Sequence, residues 1–179
     1  MENQEQTASA VTTRSAGIRY GLIMAVISIA YFVILTVADV DMTSGIGRWS
    51  STVFYIGVIY LAHKYFKDNG DGFMSYGQGM GITFWLSLVC TVIYSVFFYI
   101  YIKFVDSSFV QAIKDKQISE MEGKGMSEEQ IDQAMKMASA FMTPEAMFGF
   151  GIFFGILFIL FIGLIVTIFT QKKNPEPFV

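Results

Sequence analysis

Residues 146–170 read AMFGFGIFFGILFILFIGLIVTIFT, a stretch without one charged side chain. At about 1.5 Å rise per residue, a helix of this length crosses a hydrocarbon core of roughly 30 Å with length to spare. Thr143-Pro144-Glu145 stands just before it. These supply an N-cap residue, a proline at the first helical position and an acid in the first turn. Gln171-Lys172-Lys173-Asn174-Pro175 follows. It puts cations at the negative end of the helix dipole, then a proline that cannot continue the helix. The reading is a transmembrane helix with both ends marked, so every other segment has to be placed relative to a bilayer.

Composition agrees. The chain is 54% hydrophobic and only 15% charged, against roughly 25% charged in globular domains. The apolar residues come in long blocks, so lipid is the expected burial partner. A net charge of −3, with no dense Lys/Arg cluster, argues against nucleic acid as a partner. Cys90 is the single cysteine. It cannot form an intrachain disulfide and reads as a small packed hydrophobe. No cofactor or metal site is expected.

Upstream, residues 1–14 read as a flexible polar tail. The first apolar block, residues 15–38, competes with a signal peptide whose basic region would be Arg14 and Arg19. It is too long for that, and Thr36-Val37-Ala38 is a poor cleavage site, so it reads as an uncleaved first span. Arg19 can snorkel to the headgroups, and Gly17, Gly21 and Ala25 form a small-residue stripe that admits another helix. The second span, residues 49–66, opens on Trp49, an interface anchor. Its polar end carries Tyr60, His63, Lys64 and Tyr65 at headgroup depth. His63 reads as an interfacial polar residue, the alternative being a proton-titrating group at the membrane face.

Asn69-Gly70-Asp71-Gly72 reads as a tight turn, because a calcium loop would need an acid at its twelfth position and has none. Ser75 is positioned to cap the next helix, which opens on another small-residue pair, Gly77 and Gly81. The third span covers residues 80–102. Ser87, Thr91 and Ser95 recur every four residues and share one face. They read either as interhelical hydrogen-bond glue, worth about 0.6 kcal/mol per contact, or as a pore lining. No charged residue joins them, which favours glue.

Residues 103–143 form the extramembrane segment, expected to be a helical hairpin. Its first helix runs over residues 107–122 and is broken by Gly123-Lys124-Gly125. The second starts at Ser127, whose spacing to Gln130 fits a capping box. Ile131, Met135, Phe141 and Met142 then recur at helical spacing. They form a candidate partner surface, or a face packed on the protein itself. Gly151 and Gly155 offer a close-approach face on the fourth span, residues 146–170, and residues 171–179 form a C-terminal tail.

The ordered set of motifs resembles the bacterial family known as domain of unknown function 4199. The matching pieces are the glycine-rich first span, Phe66-Lys67, Asn69-Gly70, and Gly72 through Gln78. They continue with Met126 through Met135, Pro144, and the glycine-rich last span ending in Lys172-Lys173. The resemblance implies a four-span protein of the bacterial inner membrane. It implies no activity, substrate or catalytic residue.

The expected fold is therefore all-α and integral to the membrane. One domain, residues 15–170, carries four transmembrane helices and an extramembrane hairpin between the third and fourth. Arg14, Arg19, Lys64, Lys67, Lys172 and Lys173 flank span ends on one side, which the positive-inside rule makes cytoplasmic, together with both termini. No serine or cysteine nucleophile has a plausible histidine base, so an enzyme is not expected. The expected function is a non-enzymatic scaffold or accessory subunit. Its partners would be the lipid bilayer and another membrane protein or a second copy in a homo-oligomer. The alternative is a small channel or transporter component.

Overall fold

A computed structural model describes residues 11–38, 40 and 45–174, with residues 45–48 described by backbone alone. Residues 1–10, 39, 41–44 and 175–179, the last group holding the Pro175 stop signal, lie outside the described residues. Among the described residues six α-helices follow in order: α1 (Thr13–Val37), α2 (Gly45–Asp68), α3 (Tyr76–Ile100), α4 (Phe109–Gly123), α5 (Glu128–Ser139) and α6 (Pro144–Thr170). A π-helical turn, Tyr101–Val105, extends α3. Among the described residues there is no strand, only an isolated antiparallel bridge between Met74 and Lys172.

Three helical segments are long and apolar enough to cross a membrane: Thr13–Val37, Tyr76–Val105 and Pro144–Thr170. Many of their large apolar side chains face outward. Val26 on α1 is 67% exposed, and Phe161 and Phe169 on α6 are 62% and 82% exposed, as expected where lipid replaces a protein core. The expected second span forms a helix, but α2 is not in this apolar set. Ser50, Ser51 and Thr52 stand at one end and His63, Lys64, Lys67 and Asp68 at the other. The uninterrupted apolar run between them covers only about 15 Å of helix.

The chain divides into two compact units, Met1–Cys90 with Ile156–Val179, and Thr91–Gly155. In the first, glycine decides the packing. A Cβ on Gly17 would lie 2.5 Å from Trp85 Cβ and 2.6 Å from the Ile82 carbonyl oxygen, and one on Gly21 would lie 2.9 Å from the Leu86 carbonyl oxygen. Backbone therefore rests on backbone, and the matching four-residue steps make α1 and α3 parallel. Ala25, 1% exposed, continues the stripe. Helix α2 runs antiparallel beside α1. Near one end Arg19 donates to the Tyr65 hydroxyl at 3.0 Å, and near the other Tyr31 and Ser50 share a hydrogen bond. Helices α3 and α6 are antiparallel in this unit: a Cβ on Gly79 would press on Thr167, and one on Gly163 on Thr83. One end of the unit thus gathers the starts of α1 and α3 and the ends of α2 and α6.

In the second unit the seam is again glycine against hydroxyl. Gly155 faces Thr91 and Gly151 faces the Ser95 hydroxyl. The α4–α5 hairpin turns at Gly125, whose φ of +75° suits only glycine without strain. Helix α5 starts as the sequence predicts, with a Ser127/Gln130 capping box. It stops at Ser139, short of Phe141 and Met142, because Pro144 and its cap cannot be reached from a continuing helix. Instead the Ala146 N–H donates to the Thr143 hydroxyl at 3.2 Å and opens α6. Lys103 donates to Glu145 at 3.1 Å, joining the end of the third span to the start of the last.

Candidate functional site

His63, Thr83, Thr167 and Thr170 converge at the cation-rich end of the first unit. On α2, Ile59, Ala62 and Phe66 mark the core-facing side by their burial. His63 falls on that side, one position from Ala62 and three from Phe66. It is fully buried, which corrects the expectation of an interfacial residue. A face shared with buried apolar neighbours outweighs the nearness of Lys64 in sequence.

Both ring nitrogens of His63 are engaged. Nε2 lies 3.0 Å from the Gly79 carbonyl oxygen, which can only accept, so Nε2 carries the hydrogen. Nδ1 lies 2.7 Å from the Thr170 hydroxyl. In the neutral Nε2–H tautomer that hydroxyl donates to the ring. The Thr83 hydroxyl also donates to the Gly79 carbonyl at 3.0 Å. Gly79 is what lets this group close: with no Cβ, α3 brings its carbonyl to α2 while Thr167 fills the space behind it. The imidazole therefore ties α2 to both α3 and α6.

Beside this cluster the end of α6 leaves free carbonyls. Lys67 donates to the Thr170 carbonyl oxygen at 2.8 Å. The chain after α6 is held against the α2–α3 turn by two backbone bonds, Met74 N–H to Lys172 O at 2.8 Å and Lys172 N–H to Met74 O at 2.9 Å. The turn closes with Gly72 at φ +81° and with the Asp71 carboxylate accepting from the Phe73 N–H at 2.9 Å. Ser75 and Gln78 cap α3 reciprocally. Between these pieces lies an open cavity of about 350 Å³ lined by Tyr60, Lys64, Lys67, Asp68, Gly72 and Lys172.

The structure places the other singled-out residues as follows. Gly81 sits 3.7 Å from Thr13 by its notional Cβ, an ordinary contact. Gly77 meets nothing within 4 Å among the described residues, so the Gly77/Gly81 pair makes no close approach there. That role falls to Gly79 and Gly163, whose own four-residue spacing to Thr83 and Thr167 was the available signal. Ser87 is buried and donates to the Phe84 carbonyl at 2.8 Å, while Thr91 and Ser95 face Gly155 and Gly151.

Of the candidate partner surface, Ile131 is buried and Met135 half-buried. Met142 is half-buried too, and Phe141 is exposed with its ring 5.2 Å from that of Phe150. Ile131 thus belongs to the buried side of α5. A Met135→Glu variant should lose about 1–2 kcal/mol of stability, the scale for a charge placed in a partly buried apolar position. Thermal unfolding in detergent beside the parent checks this, and an unchanged midpoint would mean the side chain is free for a partner.

No group of three or more histidine, cysteine or acidic side chains capable of holding a metal occurs among the described residues. A family model described as protein of unknown function (DUF4199) matches residues 19–172. No curated protein and no solved structure matches the chain.

Proposed function

The chain belongs to the DUF4199 family of proteins of unknown function, and for this member we propose a non-enzymatic role as a membrane-embedded scaffold or accessory subunit. The observation that carries this reading is where the buried polar groups go. His63, Thr83 and Thr170 bond to one another or to backbone, and Thr91 and Ser95 lie against glycine. They tie helices together, which supports a structural role for these groups. The channel reading would rest on the Ser87/Thr91/Ser95 stripe, and the placing of Thr91 and Ser95 against Gly155 and Gly151 favours the scaffold over it. Thr52 Oγ1 is a buried hydroxyl oxygen without a partner, and one isolated hydroxyl makes no pathway.

We further propose that α2 is a fourth span. It lies beside α1 from Tyr65 at Arg19 to Ser50 at Tyr31, so it covers much of the depth that α1 covers. With four spans, Arg14, Arg19, Lys64, Lys67, Lys172 and Lys173 share one side. The positive-inside rule assigns that side to the cytoplasm of a bacterial inner membrane. Reporter fusions after Lys173 and within Lys67–Gly72 should both report cytoplasm, and one within Gly123–Gly125 the exterior. With only three spans and a cytoplasmic N-terminus, the first two would report the exterior and the hairpin the cytoplasm. Proteins co-purifying from native membranes test the scaffold role. If the protein always purifies alone and as a monomer, the scaffold reading falls.

A further inference from the structure

We propose that the lysine-lined cavity is a binding site for the phosphate of an anionic phospholipid headgroup, an inference that rests on the membrane reading above. Three ammonium groups, Lys64, Lys67 and Lys172, face one carboxylate, Asp68, across about 350 Å³, which leaves an excess of positive charge. Each cation has donors to spare. Lys64 is paired with Asp68 on the same helix face, yet an ammonium carries three N–H groups. Lys67 gives one to the Thr170 carbonyl. Lys172 lies 5.2 Å from the Phe73 ring centre by its Nζ, a contact that holds the chain and leaves its N–H groups available.

The site is also built rather than incidental. Tyr60, Lys64 and Lys67 recur on one face of α2. Lys172, a long way off in sequence, is fixed by its two backbone bonds to Met74. Its depth suits a headgroup. Leu61 and Phe169, 48% and 82% exposed, occupy the last apolar turns of α2 and α6, just before Lys64 and Lys172. An acyl chain along those turns would bring its phosphate to the lysines. Basic pockets between helices at a cytoplasmic membrane face are the usual form of such recognition.

The test uses the full chain in mild detergent, titrated with phosphatidylglycerol or phosphatidylcholine and read by native mass spectrometry. The parent should retain phosphatidylglycerol in preference to phosphatidylcholine. The K64Q/K172Q double variant should lose that retention by roughly 30-fold, on the scale of two lysines at a membrane surface. It spares Lys67, whose bond to Thr170 is structural. A K114Q/K116Q variant, with the same charge removed from α4, should bind like the parent. Equal loss in both variants, or no preference in the parent, would overturn the proposal. Inorganic phosphate, titrated calorimetrically, separates the two sources. If it binds through Lys64 and Lys172 while the lipid does not, the site takes a soluble anion and the headgroup assignment is wrong. The reporter fusions fail or succeed independently of these arms, so a wrong topology and a wrong ligand are told apart.

Discussion

Gly17→Leu should cost about 3 kcal/mol of stability, the upper range for forcing volume into a packed site. The reason is what the new Cβ meets. Trp85 Cβ lies 2.5 Å away, the Ile82 carbonyl oxygen 2.6 Å and the Leu86 nitrogen 3.2 Å. Two of these atoms are backbone, so no rotamer change can relieve the clash and α1 must move off α3. Gly17→Ala should already show much of the loss. Gly77→Ala is the matched control: its Cβ meets nothing within 4 Å. It should leave the midpoint unchanged or raise it slightly, by about 0.5 kcal/mol, through the unfolded chain. Unfolding in detergent, with all three variants beside the parent, checks the contrast. Equal effects at Gly17 and Gly77 would mean that the α1–α3 contact is not made.

His63→Leu should cost about 2–3 kcal/mol, although leucine is the more apolar residue. Truncating a buried polar group strands its partners, and the penalty for a stranded donor or acceptor exceeds the value of an average hydrogen bond. Here the Thr170 hydroxyl would fall back on the Val166 carbonyl, which it already reaches at 2.9 Å. The Gly79 carbonyl would keep Thr83. These fallbacks cap the loss below that of an uncompensated buried charge. A Thr170→Val variant removes one of the same bonds, so it should be less than additive with His63→Leu in a double-mutant cycle. Full additivity would show that the imidazole does not link α2 to α6.

The long helices were legible because lipid imposes a simple demand, an uncharged run of sufficient length with marked ends. Pro144 and Thr143 placed the start of α6 correctly for that reason. The α4–α5 turn and the Ser127 cap were legible because each is decided by residues within a few positions. Pairing between helices was not. Gly77 and Gly79 stand two residues apart, and only the identity of the facing residue, Thr167, separates a packing glycine from an idle one. His63 was misplaced for a related reason: its neighbours in sequence are interfacial, and its neighbours in space are core. The lysine cavity was not predicted at all. It needs Lys172 to return to α2, which depends on two backbone bonds that leave no pattern in composition or periodicity.

That return bridge bears on how the molecule is made. Met74 is synthesised before Lys172, with α3 to α6 between them, so the bond between them cannot form until α6 has been made. Until α6 arrives, Gly79 and Thr83 lack Gly163 and Thr167, and His63 lacks Thr170. A nascent chain that stops before α6 would therefore carry an unfilled polar groove between α2 and α3, a natural substrate for proteases and chaperones. Chains truncated before α6 should be cleared quickly, because α6 fills the contacts that α2 and α3 leave open.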